Sequence, residues 1–464
     1  MKMKYVLPIA FSAMLLSSCD DMAFLQIKPD NLELIEDRIQ TKDDLEKLLL
    51  GAYNQVRSDG FMGGTALRGF NVIADESTAN TATFEWVQMT NHTMNLMNAV
   101  GRNAWSNTYD AINRANQVGY SDLTESILGN DPETLAEFRA EASFIRALGY
   151  FHLVRGFGLA YCEENKDVPE MGVPLRLRGV LDRETAFEVV QRSTVEEVYN
   201  QIIEDLEYAI EHLSPSNTLL SGRATIDGAK GLLAKVYFYK GDFASAARYA
   251  GEVVATGNYD IDADMTAKFA RAEKGTTTKE VVAMIPSASI IEDSWSGLRG
   301  YRTNGLALPV YHPSDDLIAA YDQENDLRFK TFYAYIDNSW YTTKFDYEYM
   351  DAIILGYNEL LLIYAESLAE SSSEQTDLEQ ALEALNKIEA RAYGQAVTTS
   401  LDKATIIQAV QKERRLEIAS QGERLFELKR LKQNVRGDDW NSFKVMFQIP
   451  DIEQSGNPDI KMNE

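Results

Sequence analysis

Apolar residues recur at three- and four-residue steps along most of this 464-residue chain. This spacing places them on one face of a helix. Between residues 103 and 120, for example, Trp105, Tyr109 and Ile112 share a face. The same spacing predicts further helices, in chain order, over 132–158, 195–213, two within 226–255, then 358–370, 377–393 and 404–432. The chain is therefore expected to be mostly α-helical.

Capping signals mark the start of two of these helices. Asp131 followed by Pro132 is typical of an N-cap and the first helical position. Ser193 and Glu196 stand three residues apart, as in a capping box, where the helix from residue 195 begins. Both helices are therefore predicted from local chemistry as well as from periodicity.

The helix pair within 226–255 has the spacing of a tetratricopeptide repeat. Small residues such as Ala234 and Ala246 let two helices approach closely. One such pair cannot bury its apolar face alone, so several pairs must stack. We expect this helical repeat scaffold to occupy about 103–257 and 355–432.

Two long intervals, about 58–102 and about 257–344, lack the helical pattern. The first is rich in Gly, Asn and Thr, and the second contains the short β-like run 281–285 and many aromatic residues. Irregular intervals of this length inside a compact protein are usually functional. Their aromatic and apolar residues argue against disorder.

The N-terminus predicts export and lipid anchoring. Two lysines precede an apolar stretch over 5–16, which is too short to span a bilayer comfortably. The sequence LSSC at 16–19 resembles a lipobox, in which the cysteine is acylated, for example with palmitate, and becomes the new N-terminus. Residues 1–18 are thus predicted to be a lipoprotein signal peptide, with Cys19 lipidated and 19–464 forming a single domain.

The charge balance argues against nucleic-acid binding. The chain has 45 Lys and Arg against 71 Asp and Glu, which gives a net charge of −26. A protein that binds nucleic acid needs basic residues to replace the counterions of the phosphates. Solubility is the simplest interpretation of so acidic a chain.

Catalytic and metal-binding motifs are missing from the sequence. It has no HExxH, GxSxG, Walker loop or GxGxxG, and its four histidines are scattered. Asp260, Asp262 and Asp264 are spaced like the start of a calcium loop, but Met265 and Arg271 stand where glycine and the bidentate glutamate belong. We expect no enzyme activity and no cofactor, and an incidental Ca²⁺ on these aspartates is left open.

Eight segments along the chain together carry a resemblance to a known protein family. The segments are LSSC at 16–19, YDAINRANQV at 109–118, FRAEASFIRALGYFHLVRGFG at 138–158, VYNQIIEDLEYAIEHL at 198–213, AYDQENDLR at 320–328, YNELLLIYAESLAE at 357–370, ERRLEIASQGERLFELKR at 413–430 and IPDIEQSGNPDIKMNE at 449–464. Together they resemble the SusD/RagB family of nutrient-binding outer-membrane lipoproteins. The resemblance covers almost the whole chain.

This resemblance implies a fold, a partner and a place in the cell. The expected SusD-like fold is mostly α, with about four tetratricopeptide-like helix pairs as a scaffold and with long loops and short β-hairpins facing the ligand. Members of the family act as a lid on a SusC-like TonB-dependent β-barrel transporter and deliver oligosaccharides or, in some members, peptides. The chain is therefore expected to be lipid-anchored in the outer membrane, facing the cell exterior.

A sugar-binding protein needs aromatic platforms flanked by polar groups, usually on loops. The residues of the loop-rich intervals that meet this description are Trp86, Asn91, His92, Trp295, Arg299, Tyr301, Asn304, Trp340 and Tyr341. For each loop tryptophan the alternative is local packing or contact with the barrel. Trp105 is expected in the core, because it lies at helical spacing from Tyr109.

Three arginines of the 413–430 segment invite a binding-site interpretation. Arg414, Arg415 and Arg424 lie among glutamates on predicted helix. Such arginines more often form ion pairs that support the fold. We therefore do not assign them to the ligand site.

Four functions are compared from the sequence. A lid that binds glycans is the leading hypothesis, followed by a lid of the same family that takes peptides. The third is an envelope scaffold that uses helical repeats for protein contacts only, and the last is a hydrolase. The sequence does not identify the nutrient.

Overall fold

The structure is a computed structural model, which describes residues 39–79, 84–287, 311–336, 338–347 and 349–463. The predicted signal peptide lies outside the described residues. So do five residues singled out from the sequence: Cys19, Trp295, Arg299, Tyr301 and Asn304.

Helices dominate the described part of the chain. They are α1 (Lys42–Val56), α2 (Thr65–Ile73), α3 (Phe84–Thr90), α4 (Ala99–Gly119), α5 (Asp122–Leu128), α6 (Pro132–Phe157), α7 (Arg183–Ala186), α8 (Val195–His212), α9 (Ile226–Lys240), α10 (Phe243–Ala255), α11 (Ala267–Lys274), α12 (Asp315–Ala320), α13 (Leu327–Phe332), α14 (Tyr357–Ser371), α15 (Gln375–Tyr393), α16 (Lys403–Glu417), α17 (Arg424–Arg430) and α18 (Asp451–Gly456). The predicted fold class, mostly α, is confirmed.

Six short strands form three two-stranded antiparallel sheets within the described ranges. The strands are β1 (Ser77–Ala79), β2 (Val281–Ile285), β3 (Tyr311–Pro313), β4 (Tyr333–Ile336), β5 (Ser339–Thr342) and β6 (Ala352–Gly356). Strand β1 pairs with β3, β2 with β6, and β4 with β5. The run predicted to be β-like is strand β2, which is buried along its whole length.

The helices predicted from apolar spacing are present, and their caps explain where they begin. The Asp131 carboxylate accepts a hydrogen bond from the backbone N–H of Thr134 at 3.2 Å, which caps α6. The capping box of α8 is formed by Thr194 and Glu197, one residue later than predicted. The Glu197 carboxylate accepts from the backbone N–H of Thr194 at 2.8 Å, and the Thr194 hydroxyl accepts from the N–H of Glu197 at 3.1 Å.

The prediction of a single helix over 404–432 is wrong, because the chain turns between α16 and α17. Ser420 and Gly422 have φ angles of 67° and 87°, in the left-handed region that a continuous helix does not use. The side chain of Asn71 holds this turn, since it donates to the carbonyl of Ser420 at 2.8 Å and accepts from the N–H of Gly422 at 2.7 Å. A contact with α2 therefore divides the helix.

Helix α6 lies at the centre of the helical scaffold. It packs between α4 and α8, and its residues from Ala140 onward are almost all buried. Gly149 lets α4 approach, because a Cβ at this position would lie 2.7 Å from Cγ1 of Ile112. A second group of helices, α10, α15 and α16, packs around α14. The description of these helices as four tetratricopeptide-like pairs stays a prediction.

Both intervals predicted to be loop-rich contain regular structure. Helices α2 and α3 lie in the first interval, and α11, α12 and α13 lie in the second with strands β2 to β5. Most of these elements are too short to show helical periodicity in the sequence. None of the helices in the described ranges is both long and apolar enough to cross a membrane.

The three arginines left out of the ligand site make ion pairs, as predicted. The Arg414 guanidinium contacts the carboxylates of Glu359 and Glu427 at 2.9 and 3.0 Å. Arg424 contacts Asp75 at 2.8 Å. Arg415 pairs with Asp316 of α12. These arginines connect α16 and α17 to other helices and to the chain before β1.

Candidate functional site

The β4–β5 hairpin carries a pair of aromatic side chains that faces solvent. Tyr335 and Trp340 are cross-strand partners, and their ring centroids are 5.1 Å apart at an interplanar angle of 57°. Tyr335 is 58% exposed, and Trp340 is half-buried. Trp340 also packs edge-on against Phe329 of α13 at 5.0 Å, which fixes its ring. We call Tyr335 and Trp340 the hairpin platform.

The turn of this hairpin is suited to asparagine. Asn338 has a φ angle of 63°, in the left-handed region that asparagine tolerates better than most residues. The turn sets the register in which Tyr335 lies opposite Trp340. The platform therefore follows from the turn chemistry and from the alternation of the two strands.

Tyr341 points to the opposite side of β5 from Trp340, as neighbouring residues of a strand do. It is only 7% exposed, and its ring lies 5.0 Å from that of His312 on β3. Nδ1 of His312 is buried and has no hydrogen-bond partner in the described part of the chain. Tyr341 thus connects the hairpin to the β1–β3 sheet.

Trp86 is buried beneath an arginine. It is 6% exposed, and the guanidinium carbon of Arg68 lies 4.0 Å from its ring centroid. The same guanidinium lies 5.8 Å from the ring of Tyr311, which precedes His312 on β3. Burial lowers the pKa of Arg68 from its ordinary value. Trp86 offers little free ring surface in this arrangement.

Asn91 and His92 follow α3 and lie in different surroundings. Asn91 is exposed. His92 is 6% exposed, and its two ring nitrogens lie 2.8 Å from Oδ2 of Asp438 and 2.9 Å from the backbone oxygen of Ile73. The hydrogen bond from His92 lowers the pKa of the Asp438 carboxyl. His92 thus links two parts of the fold.

Of the predicted residues, Trp340 and Tyr341 share a strand. Trp86 is related to β3 through Arg68, whose guanidinium lies near the rings of both Trp86 and Tyr311. The sequence reasoning missed Tyr335, Arg68, Phe329 and His312. The alternation of Tyr335 and Trp340 around a turn could have identified the pair. Nothing local identifies Arg68, because its partners are distant in sequence.

Comparison with known proteins agrees with this architecture. A family model described as "Starch-binding associating with outer membrane" matches residues 23–238, and a model described as "SusD family" matches residues 313–460. The chain belongs to the SusD/RagB family. The sequence resemblance is thereby confirmed.

Relatives and solved structures extend the match over most of this SusD-family chain. SusD-like protein P2 of Formosa agariphila is 26% identical, and the alignment covers 92% of this chain and 91% of the relative. A SusD superfamily protein from Bacteroides vulgatus superposes with a TM-score of 0.78 at 20% identity, covering 91% of this chain and 99% of the other. A laminarin-binding SusD-like protein superposes with a TM-score of 0.73 at 21% identity, covering 91% and 99%. The structural matches establish a common fold.

The aspartates spaced like a calcium loop are engaged within this SusD-family fold. Asp262 accepts a hydrogen bond from the Thr278 hydroxyl, and Asp264 accepts from the hydroxyl of Thr266 at 2.7 Å. In the ranges that the structure describes, no three His, Cys, Asp or Glu side chains are grouped so that they could hold a metal ion.

Proposed function

We propose that this chain is a lipid-anchored, surface-exposed protein that binds oligosaccharides and delivers them to a SusC-like TonB-dependent transporter. The observation that carries the proposal is the match to a family model described as starch-binding and associating with the outer membrane. A fold neighbour that binds laminarin adds support for a glycan ligand. In this role the chain binds and releases its ligand without catalysis.

The hairpin platform is the part of the described structure best suited to a sugar. A pyranose ring has a flat face of C–H groups, which packs favourably against an aromatic ring. Tyr335 is 58% exposed, and its ring lies 5.1 Å from that of Trp340, so the pair presents aromatic surface to solvent. Polar side chains around such a platform fix the orientation of the sugar hydroxyls. Asn338, which is exposed in the turn, is one such group.

Calorimetry of the purified chain with maltohexaose and laminarihexaose tests this function. We expect saturable binding of one of these glucans, weakened about tenfold or more by Trp340→Ala, because truncating a central aromatic anchor costs about 2 kcal/mol. Trp440→Ala is the matched control, since Trp440 is also half-buried but packs near Lys432.

Two results would contradict the glycan site on the hairpin. One is the absence of saturable binding to either glucan. The other is an equal loss of affinity in Trp340→Ala and Trp440→Ala, which would indicate a general effect on the fold. Circular dichroism of each variant checks that the helical content is unchanged.

The anchoring and the partner rest on the sequence and on the family. The lipobox resemblance at 16–19 supports acylation of Cys19. We expect purification of the tagged chain from solubilised native membranes to recover a β-barrel transporter. A Cys19→Ala chain should be released from the membrane fraction, since it lacks the lipid. Recovery of the intact chain without any barrel would contradict the proposed partner.

A further inference from the structure

A recess separate from the hairpin platform lies between α4, the segment 174–190 and α18. Its volume is about 710 Å³, and none of its lining residues belongs to the platform. Recesses that hold small ligands measure about 300–1,000 Å³. The recess is therefore large enough for a ligand of its own.

Aliphatic side chains form part of the walls of the recess, and two of them are partly exposed at its edge. Ile112, Leu175 and Val180 are among the lining residues. Leu177 is 39% exposed and Ile452 is 41% exposed. Partly exposed apolar side chains in a recess favour a ligand that covers part of their surface.

Charges of both signs also line the recess. Arg176 and Arg178 contribute guanidinium groups, while Glu188 and Glu453 contribute carboxylates. One guanidinium nitrogen of Arg176 donates to the backbone oxygen of Glu188 at 2.9 Å, which holds this arginine at the wall. Arg178 is exposed and has no ion pair among the described residues. A ligand with both a positive and a negative group would match this lining.

An amide group completes the polar part of the recess. Oδ1 of Asn113 accepts from the backbone N–H of Val180 at 2.9 Å, which fixes the orientation of the amide. Asn113 lines the recess, and its Nδ2 donor has no partner in the described ranges. An oriented amide donor of this kind suits a peptide carbonyl.

The aromatic residues of the recess are less exposed than those of the hairpin platform. Trp105 is only 2% exposed, and its Nε1–H donates to a carboxylate oxygen of Glu453 at 3.1 Å. Tyr109 is half-buried, and its hydroxyl donates to the backbone oxygen of Pro174 at 2.8 Å. The recess thus offers one half-buried ring, which favours stacking on a pyranose less than an exposed pair of rings does.

We propose that this recess binds a short peptide with apolar side chains and free termini. The apolar side chains would occupy the aliphatic walls, and the terminal carboxylate would contact the guanidinium groups of Arg176 and Arg178. The terminal ammonium would lie toward Glu188 and Glu453, and a peptide carbonyl would accept from Asn113. This site does not rest on the proposed glycan function, because the two sites share no residue.

Calorimetry of the full-length chain with trileucine, which has free termini, tests the site. We expect saturable binding in the micromolar-to-millimolar range. Arg178→Glu should weaken it about fivefold, the usual effect of losing one partly exposed charge pair. Arg248→Glu is the matched control, because Arg248 is also exposed but lies on α10. N-acetylated, C-amidated trileucine should bind about tenfold more weakly, because it lacks both charges.

A second variant blocks the recess without changing the core. Ala186 lines the recess and is exposed, so a tryptophan there should fill the mouth while the fold is kept. Ala186→Trp should abolish trileucine binding, and Trp340→Ala should leave it unchanged. This pair of variants separates a failure of the peptide site from a failure of the glycan site.

Three results would overturn the peptide site. They are no saturable binding of trileucine, equal losses in Arg178→Glu and Arg248→Glu, or loss of trileucine binding in Trp340→Ala. Competition of trileucine by maltohexaose in the Trp340→Ala chain would also overturn it, because the recess would then be a glycan site.

Discussion

Replacing Arg328 with methionine is expected to lower the free energy of unfolding by about 3–5 kcal/mol, the usual cost of breaking a buried ion pair from one side. Arg328 is 1% exposed, and one of its guanidinium nitrogens contacts Asp326 at 2.8 Å and Glu413 at 2.7 Å. A second nitrogen lies 3.3 Å from Glu417. The variant would leave Asp326, which is fully buried, without a cation among the described residues.

Urea unfolding followed by circular dichroism measures this effect. Arg114→Met is the control, because Arg114 pairs with Asp110 at 3.1 Å while both side chains are about 40% exposed. Such an exposed pair contributes at most about 1 kcal/mol. Adding Asp326→Asn to Arg328→Met should restore part of the stability, since it removes the stranded charge. Equal midpoints for Arg328→Met and Arg114→Met would contradict this account of the ion-pair network.

Lys429→Met is expected to raise the free energy of unfolding by about 2–4 kcal/mol at pH 7. Lys429 is 3% exposed, and its Nζ has no hydrogen-bond partner in the part of the chain that the structure describes. It lies beside a small cavity that Arg155, Arg430 and Tyr199 also line. Burial lowers the pKa of Lys429 to about 7. Methionine has a similar length and needs neither a charge nor a hydrogen bond.

The gain from Lys429→Met should depend on pH. The pKa of Lys429 is about 7 in the folded chain and near the ordinary value of 10.5 in the unfolded chain. Because the folded state binds fewer protons, this lysine destabilises the fold fully below pH 7, and its effect fades as the pH rises toward 10.5. The advantage of the variant should therefore be largest at pH 6 and smallest near pH 10.

Unfolding midpoints at pH 6, 8 and 10 test this dependence. Lys279→Met, at an exposed position, is the control and should leave stability nearly unchanged at each pH. Burial also lowers the pKa of Lys344 to about 7, so some pH dependence should remain in the Lys429→Met chain. A gain that is the same at every pH, or a loss of stability, would contradict an unpaired buried amine at Lys429.

The helical scaffold follows from local chemistry, and so it was predicted well. Apolar spacing placed α4, α6 and α8 correctly, because a helix repeats every 3.6 residues whatever it packs against. The caps at Asp131 and Thr194 act within three residues of sequence. The family signature lies in the same kind of local segment. Helix, cap and family are therefore properties of the sequence itself.

The site depends on contacts that no local pattern records. Trp86 was a candidate platform by type and position, but Arg68 covers its ring in the fold. His92 was a candidate hydrogen-bonding group for a ligand, but it bonds to Asp438, which is 346 residues away. Tyr335 is not among the residues predicted from the sequence, yet the hairpin register places it beside Trp340.

Contacts between distant segments also decide where the last predicted helix is divided and how the recess is formed. The 404–432 segment has a helical pattern throughout, and Asn71 of α2 decides that it turns at Gly422. The recess is built from helix α4, the segment 174–190 and helix α18, which are far apart in the chain. Periodicity and capping act over a few residues, so the sequence alone determined the helices and the family. Burial, cation–π contacts and recesses arise between distant segments, so only the tertiary structure decided which side chains face solvent.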